Sequence, residues 1–192
     1  MISDGEEALP NLVRAATGEP VRHILDWFHL SMRMRPIEQV LAGLSARQLQ
    51  DPEPVQAAQA SIERIRHLLW HGRPNQADQA IVLLLGHGSK IAERNGISVQ
   101  EPANDLNRLC KELKGYAQNN RDAIINYHRR YHGKLPVSSS RAEGCVDEIA
   151  NARMGKQQRM RWSPQGAHHV ALVRAAVLDG RLKPPEVILK AA

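Results

Sequence analysis

The chain has 192 residues, of which 42% are hydrophobic and 4% aromatic, and its formal net charge is +6. This apolar fraction and length exclude a wholly disordered chain and allow one core to be buried. The scarcity of aromatic residues and the abundance of Ala, Leu, Arg and Gln exclude a large sheet and predict a mostly helical protein.

The charge favours an anionic partner such as nucleic acid, although charge alone does not establish one. The two cysteines, Cys110 and Cys145, do not form a Cys-x-x-Cys motif or a disulfide framework. The N-terminus has no basic segment followed by an apolar run, so it is unlike a secretory signal, and no stretch suits a lipid surface. We therefore expect a protein of the reducing cytoplasm that has no membrane partner.

Residues 1–35 read as a strand, a helix and a second strand. Two short apolar runs, residues 1–2 and 23–25, are followed by Asp4 and Asp26 respectively. Between them, apolar residues recur at helical spacing over residues 6–16. A right-handed crossover of this kind makes the strands parallel, so we expect both aspartates at the same carboxyl edge, where functional residues gather in α/β sheets.

Residues 36–136 read as an all-helical insertion. Apolar periodicity predicts helices over residues 37–44, 55–70, 75–85, 104–119 and 121–131. The motif Gly86-His87-Gly88 lacks the Lys-Ser/Thr ending of a phosphate-binding loop, and we predict that it ends a helix with a glycine cap.

Two histidine pairs in this segment have the spacing of a helical metal-binding pair. They are His67 with His71, and His128 with His132. Neither pair contains a Glu at the position that a zincin needs. We therefore expect solvated or interfacial histidines.

Glu143 has two interpretations, which the residues alone leave open. Ser140-x-x-Glu143 is a capping box, in which each side chain satisfies a backbone donor of the other residue. Glu143 is also a candidate metal ligand if its carboxylate reaches the edge that carries Asp4 and Asp26.

A basic stretch covers residues 153–164, and no acidic residue occurs between Glu148 and Asp179. A solvated helix face is one interpretation, but a run of one sign beside a candidate carboxylate site favours contact with nucleic acid. The side chains suited to phosphates or bases are Arg153, Lys156, Gln157, Arg159, Arg161 and Trp162.

The order of motifs resembles a known family. It runs ISDG, then ILDWFHLSMRM, then a long helical stretch, then SSSRAEGCVDEIANARMGKQQRMRWSPQGAHHV. This order is similar to the catalytic domain of bacterial insertion-sequence transposases of the ISKra type, in the Asp-Asp-Glu group related to Mutator-like elements. The resemblance implies a partial ribonuclease-H-like fold of the α/β class, mostly helical. Residues 1–35 would form part of its core, 36–136 a helical insertion, and 137–192 the C-terminal helices with the glutamate and the basic stretch.

The resemblance also implies roles for individual residues. Asp4 matches the second catalytic aspartate, Glu143 the terminal glutamate, and Asp26 with His29 the Asp/Cys-x-x-His signature. Asp4 and Glu143 would hold Mg²⁺ or Mn²⁺, while Asp26 would be an auxiliary ligand or would position His29. His29 in turn would contact the scissile phosphate or stabilise the fold. Without the resemblance, DWFH reads as a strand end whose Trp27 and Phe28 fill the core, and the two interpretations are compatible.

The implied activity is phosphodiester cleavage at the element's ends and strand transfer to target DNA, and we expect a homo-oligomer assembled on double-stranded DNA. The family's first catalytic aspartate would precede Met1, so we expect this sequence to be the C-terminal part of such a transposase. We accordingly expect that the 192-residue chain alone does not cut DNA. The alternatives are a noncatalytic DNA-binding remnant and an unstable product with an exposed sheet edge.

Overall fold

The computed structural model describes residues 1–6, 8–140, 144, 147–151 and 161–182. It divides the chain into two compact units, Met1–Ser139 and Ser140–Ala192. The protein is mostly helical, as its composition predicts. Within the described ranges, no helix has both the length and the apolar character that crossing a membrane requires.

The first unit begins with the predicted strand, helix and strand. Strand β1 (Ile2–Ser3) pairs in parallel with β2 (Ile24–Leu25), and α1 (Ala8–Thr17) connects them. Ser3 is opposite Leu25, and the Asp26 N–H donates to the Ser3 carbonyl at 2.8 Å. The parallel register therefore confirms that Asp4 and Asp26 follow neighbouring strands at the same edge.

Five helices complete the first unit. They are α2 (Trp27–Ser45), α3 (Glu53–Trp70), α4 (Pro74–Asn95), α5 (Gln100–Asn119) and the short α6 (Tyr127–His132). Single 3₁₀ turns at Ile97–Val99 and Arg121–Ala123 precede α5 and α6. Helices α3 and α4 have proline in their first turn, where the missing N–H has no intrahelical partner to lose.

The predicted helix end at Gly86–Gly88 is wrong. Helix α4 continues to Asn95, and Ile91, which lies beyond the glycines, is buried. Gly88 is itself buried, and a Cβ there would overlap the Asn107 side chain of α5. Glycine at this position allows two helices to approach closely rather than ending one of them.

Two other predicted boundaries differ from the structure. Helix α2 begins directly after Asp26, so position 35 lies inside a helix rather than between two segments. The helix predicted over residues 121–131 is split, because Asn126 caps α6 by accepting a hydrogen bond from the Arg129 N–H at 2.8 Å.

The helices share one apolar core with β2. Helix α3 packs on α2 and α4, and α5 packs on α2 and α4. Leu25 of β2 is fully buried in this core, and so is Tyr127 of α6. The Tyr127 hydroxyl donates to the Leu25 carbonyl at 2.8 Å, which satisfies a polar group at the end of the strand. This contact fixes the strand that positions Asp26.

The second unit contains a π-helical turn (Asp147–Asn151) and helix α7 (Pro164–Leu178) among its described residues. Ser163 caps α7 by accepting a hydrogen bond from the Gly166 N–H at 3.1 Å. Five residues with predicted roles lie outside the described residues: Glu143, Arg153, Lys156, Gln157 and Arg159.

Candidate active site

Asp26 is a fully buried carboxylate at the end of β2. Its Oδ1 accepts a hydrogen bond from the Phe28 N–H at 2.7 Å, which caps helix α2. Its Oδ2 accepts two bonds from Ser139, from the N–H at 2.8 Å and from the Oγ hydroxyl at 2.5 Å. Both carboxylate oxygens of Asp26 are therefore engaged by protein donors.

These donors determine the protonation state of Asp26. Burial by itself would raise the pKa of Asp26. The hydrogen bonds from Ser139 and from the Phe28 N–H, together with the nearby His29 ring, outweigh burial and hold that pKa below its usual value. Asp26 is thus a buried, ionised carboxylate suited to holding its neighbours in place.

The segment that carries Ser139 lies along the end of β2. The Trp27 N–H donates to the Val137 carbonyl at 3.0 Å, two residues before Ser139. The sequence interpretation missed this role, because the run Ser138-Ser139-Ser140 carries only a helix-capping signal. A serine that bonds to a residue so distant in sequence leaves no local pattern.

His29 lies in the first turn of α2, next to Asp26. Its Nδ1 is 3.5 Å from the Asp26 Oδ2, and the side chain is 39% exposed. The Nδ1 atom is buried and has no hydrogen-bond partner within the described residues. The arrangement is that of a carboxylate that can orient an imidazole, with the remainder of the ring partly open to solvent.

Asp4 is exposed at the end of β1. Its Oδ1 accepts a hydrogen bond from the Glu6 N–H at 3.3 Å, and its carbonyl accepts one from the Tyr116 hydroxyl at 2.6 Å. Gly5 has φ +96°, and a Cβ there would overlap the Asn120 side chain, so the turn needs glycine. The turn is therefore fixed by its backbone while the carboxylate stays exposed.

Asp4 and His29 line the same cavity, which has a volume of about 330 Å³. Helices α2 and α5 supply most of its wall, including Arg33 and Tyr116. A larger cavity of about 880 Å³ also reaches Asp4 and is lined by α1 and the turn after α5. The structure thus brings together three predicted site residues, Asp4, Asp26 and His29.

The residues between Asp26 and His29 only partly match their predicted core role. Trp27 packs edge-on against Trp70, with ring centroids 4.8 Å apart, and lies 5.1 Å from the Tyr127 ring. Phe28, in contrast, is 46% exposed, so the prediction that it fills the core is wrong. Because α2 begins immediately after Asp26, successive residues point to different sides of the helix.

Asp4 has the chemistry that a divalent cation needs. Its carboxylate supplies hard oxygen ligands and, among the residues that the structure describes, accepts one long backbone hydrogen bond, whereas the Asp26 oxygens are already engaged. No group of three or more His, Cys, Asp or Glu residues among the described residues is arranged to hold a metal ion. Glu143, the other predicted ligand, lies outside the described ranges.

Two of the six predicted DNA-binding residues are described. Arg161 is exposed, and Trp162 is half-buried, with an indole Nε1 that has no hydrogen-bond partner in the described part of the chain. Arg161 is therefore accessible to a phosphate.

The histidines of the two i, i+4 pairs form a row between α3 and α6. Ring centroids are 4.3 Å apart for His67 and His71, 4.7 Å for His71 and His128, and 4.3 Å for His128 and His132. Burial, the neighbouring histidines and the Arg73 charge lower the pKa of His71. The row agrees with the expectation of interfacial histidines.

No protein-family model matches this chain, and no curated protein or solved structure matches it either. The arrangement at the carboxyl edge of the strand pair is therefore the principal basis for a functional proposal.

Proposed function

We propose that this chain supplies part of the catalytic domain of an ISKra-type DNA transposase, with a ribonuclease-H-like core that contains a helical insertion. Its activity would be metal-dependent phosphodiester cleavage at the ends of an insertion sequence, followed by strand transfer. One observation supports this best. Asp4 and Asp26 follow adjacent parallel strands at one edge, and Ser139, four positions before Glu143, binds Asp26 at that edge.

In this proposal Asp4 and Glu143 hold the Mg²⁺ or Mn²⁺ ions. When bound, such ions would activate the attacking oxygen and neutralise charge on the leaving oxygen of an in-line displacement. Asp4 suits this role because it is exposed and its backbone is fixed by Gly5 and by the Tyr116 hydroxyl. A glutamate on a helix has the extra methylene that lets a carboxylate reach toward a strand end.

Asp26 and His29 support the reaction without holding the metal. The buried Asp26 carboxylate, with its Oδ2 at 3.5 Å from the His29 Nδ1, would orient the imidazole. His29 would contact the phosphate of the DNA strand in the cavity that it shares with Asp4. This division of roles favours the positioning function for Asp26 over the auxiliary-ligand function.

Double-stranded DNA is the proposed partner. The segment between Glu148 and Asp179 contains no acidic residue, and Arg161 within it is exposed. Cations in such a segment would bind backbone phosphates and release counterions, which gives sequence-independent affinity that depends on salt. A homo-oligomer bound to the element's ends and the target is part of the same proposal.

The test uses the complete reading frame that contains this sequence, purified and incubated with Mg²⁺ or Mn²⁺ and DNA carrying the element's ends. We expect metal-dependent cleavage that Asp4→Asn and Glu143→Gln abolish. Glu148→Gln is the matched control, because Glu148 is a nearby exposed carboxylate without a proposed role, and it should leave cleavage unchanged. Cleavage that survives Glu143→Gln contradicts the proposal, and DNA binding without any cleavage supports the noncatalytic remnant instead.

A further inference from the structure

Arg33 is a cation that the sequence interpretation did not single out. It lies one helical turn after His29 on α2, and its guanidinium carbon is 4.8 Å from the centroid of the Tyr116 ring. The Tyr116 hydroxyl donates to the Asp4 carbonyl at 2.6 Å. The aromatic ring therefore links the guanidinium group to the end of β1 that carries Asp4.

The guanidinium group of Arg33 differs from those of three other arginines in the helical region, which are paired with acids. Arg66, Arg94 and Arg108 each lie within ion-pair distance of two carboxylates. Arg33 forms no such pair within the described residues. Glu112, which lines the same cavity, is bound by Arg108 at 2.8 Å. The N–H donors of Arg33 are therefore not neutralised by a neighbouring acid.

Arg33 and His29 line one cavity of about 330 Å³ together with Asp4 and Tyr116. A guanidinium fork and an imidazole, one turn apart on a single helix, offer convergent donors to a tetrahedral oxyanion. The stacking of Arg33 on Tyr116 restricts the guanidinium plane, so less conformational freedom is lost when an anion binds.

We propose that Arg33 and His29 form a binding site for one phosphodiester group of a nucleic-acid strand, with Tyr116 as the positioning residue. The inference rests on the proposed function, because the phosphodiester bound here would be the one presented to the metal ligands. Asp4 repels an anion at close range, so a divalent cation should strengthen phosphate binding at this site.

The test measures binding rather than cleavage. The probes are inorganic phosphate and the dinucleotide TpT, added to the full chain and followed by NMR at the Arg33 Nε–Hε signal. We expect saturable shifts of this signal, and Arg33→Gln should weaken TpT binding by about tenfold, the loss typical of one charge-assisted contact. Arg33→Lys keeps the charge and loses the fork, so it should restore only part of the affinity.

Arg35→Gln is the matched control, because Arg35 is exposed on the same helix and does not line the cavity. It should leave TpT affinity unchanged, and circular dichroism of each variant confirms that the helices are retained. Equal weakening by Arg35→Gln and Arg33→Gln, or an Arg33 signal that does not respond to phosphate, would overturn the site. Two further outcomes separate the phosphate site from the proposed function. Saturable binding at Arg33 without cleavage by the complete reading frame would support the phosphate site and contradict the proposed function. Glu143-dependent cleavage with TpT affinity unaffected by Arg33→Gln would support the proposed function and contradict the phosphate site.

Discussion

Ser139 donates two hydrogen bonds to Asp26, a residue 113 positions earlier in the chain. One comes from its N–H at 2.8 Å and the other from its hydroxyl at 2.5 Å. The pair joins the last residue of the first unit to the end of β2. At the same edge, the Asp4 carboxylate is exposed.

The Asp26–Ser139 pair should contribute measurably to stability. Ser139→Ala removes the hydroxyl but keeps the N–H donor, so we expect a loss of about 1 kcal/mol, and Asp26→Asn should cost about 1–3 kcal/mol. Urea unfolding of both single variants and the double variant gives the interaction free energy between Asp26 and Ser139. The double variant should lose less than the sum of the two, and strict additivity would show that the pair does not interact in solution.

The stability contributed by Asp26 should depend on pH in one direction. The pKa of Asp26 in the folded protein is lowered from its ordinary value of 3.8, so the unfolded chain binds the proton first as pH falls. The parent should therefore have a higher free energy of unfolding than Asp26→Asn. This difference should be largest above the pKa of Asp26 in the unfolded chain and should decline as pH falls through the pKa of Asp26 in the folded protein. Urea midpoints between about pH 2 and pH 6, at roughly half-unit steps, measure it. A difference that grows on acidification contradicts the assignment.

The two glycines of α4 should respond oppositely to alanine. At Gly86 a Cβ meets nothing within 4 Å, so Gly86→Ala should stabilise the protein by about 0.5–1 kcal/mol through helix propensity. At Gly88 the Cβ would overlap the Asn107 side chain, so Gly88→Ala should destabilise by about 1–3 kcal/mol. Thermal unfolding of both variants checks this. Stabilisation by both substitutions would contradict the prediction and would mean that the Asn107 side chain moves aside at little cost.

The basic stretch should carry the salt dependence of DNA binding. Neutralising four of its cations together should weaken duplex binding and reduce the slope of log affinity against log salt, by up to about 0.9 for each phosphate that the variant no longer neutralises. The four are Arg153, Lys156, Arg159 and Arg161.

The matched control for that variant removes the same charge from exposed cations of the first unit. Its four positions are Arg35, Arg64, Lys90 and Lys111. A salt titration by fluorescence anisotropy compares both variants with the parent. Equal slopes in the two variants would show that net charge rather than the basic stretch determines affinity.

The sequence predicted the strand pair and most helices because their signals are local. Asp4 and Asp26 each follow a short apolar run, and the crossover rule makes such strands parallel. The end of α4 was mispredicted because Gly86 and Gly88 have the pattern of a cap, while packing against α5 determines their role. Local pattern cannot report a contact between two helices.

The candidate site was predictable only in part for the same reason. Asp4, Asp26 and His29 belong to short motifs, so the sequence alone identifies them. Ser139 and Tyr116 act through contacts with residues 113 and 112 positions away, and neither has a motif. Arg33 belongs to no motif either. Only the structure shows that it lines the cavity, contacts the Tyr116 ring and has no ion pair within the described residues.

The most direct test of the proposed metal site is the position of a bound metal ion. Crystals of the complete reading frame grown with Mn²⁺ give an anomalous signal that locates the ion. We predict a peak about 2.2 Å from carboxylate oxygens of both Asp4 and Glu143, with the two carboxylates within roughly 10 Å of each other. Mn²⁺ bound elsewhere, or Asp4 and Glu143 on opposite faces of the protein, would contradict it.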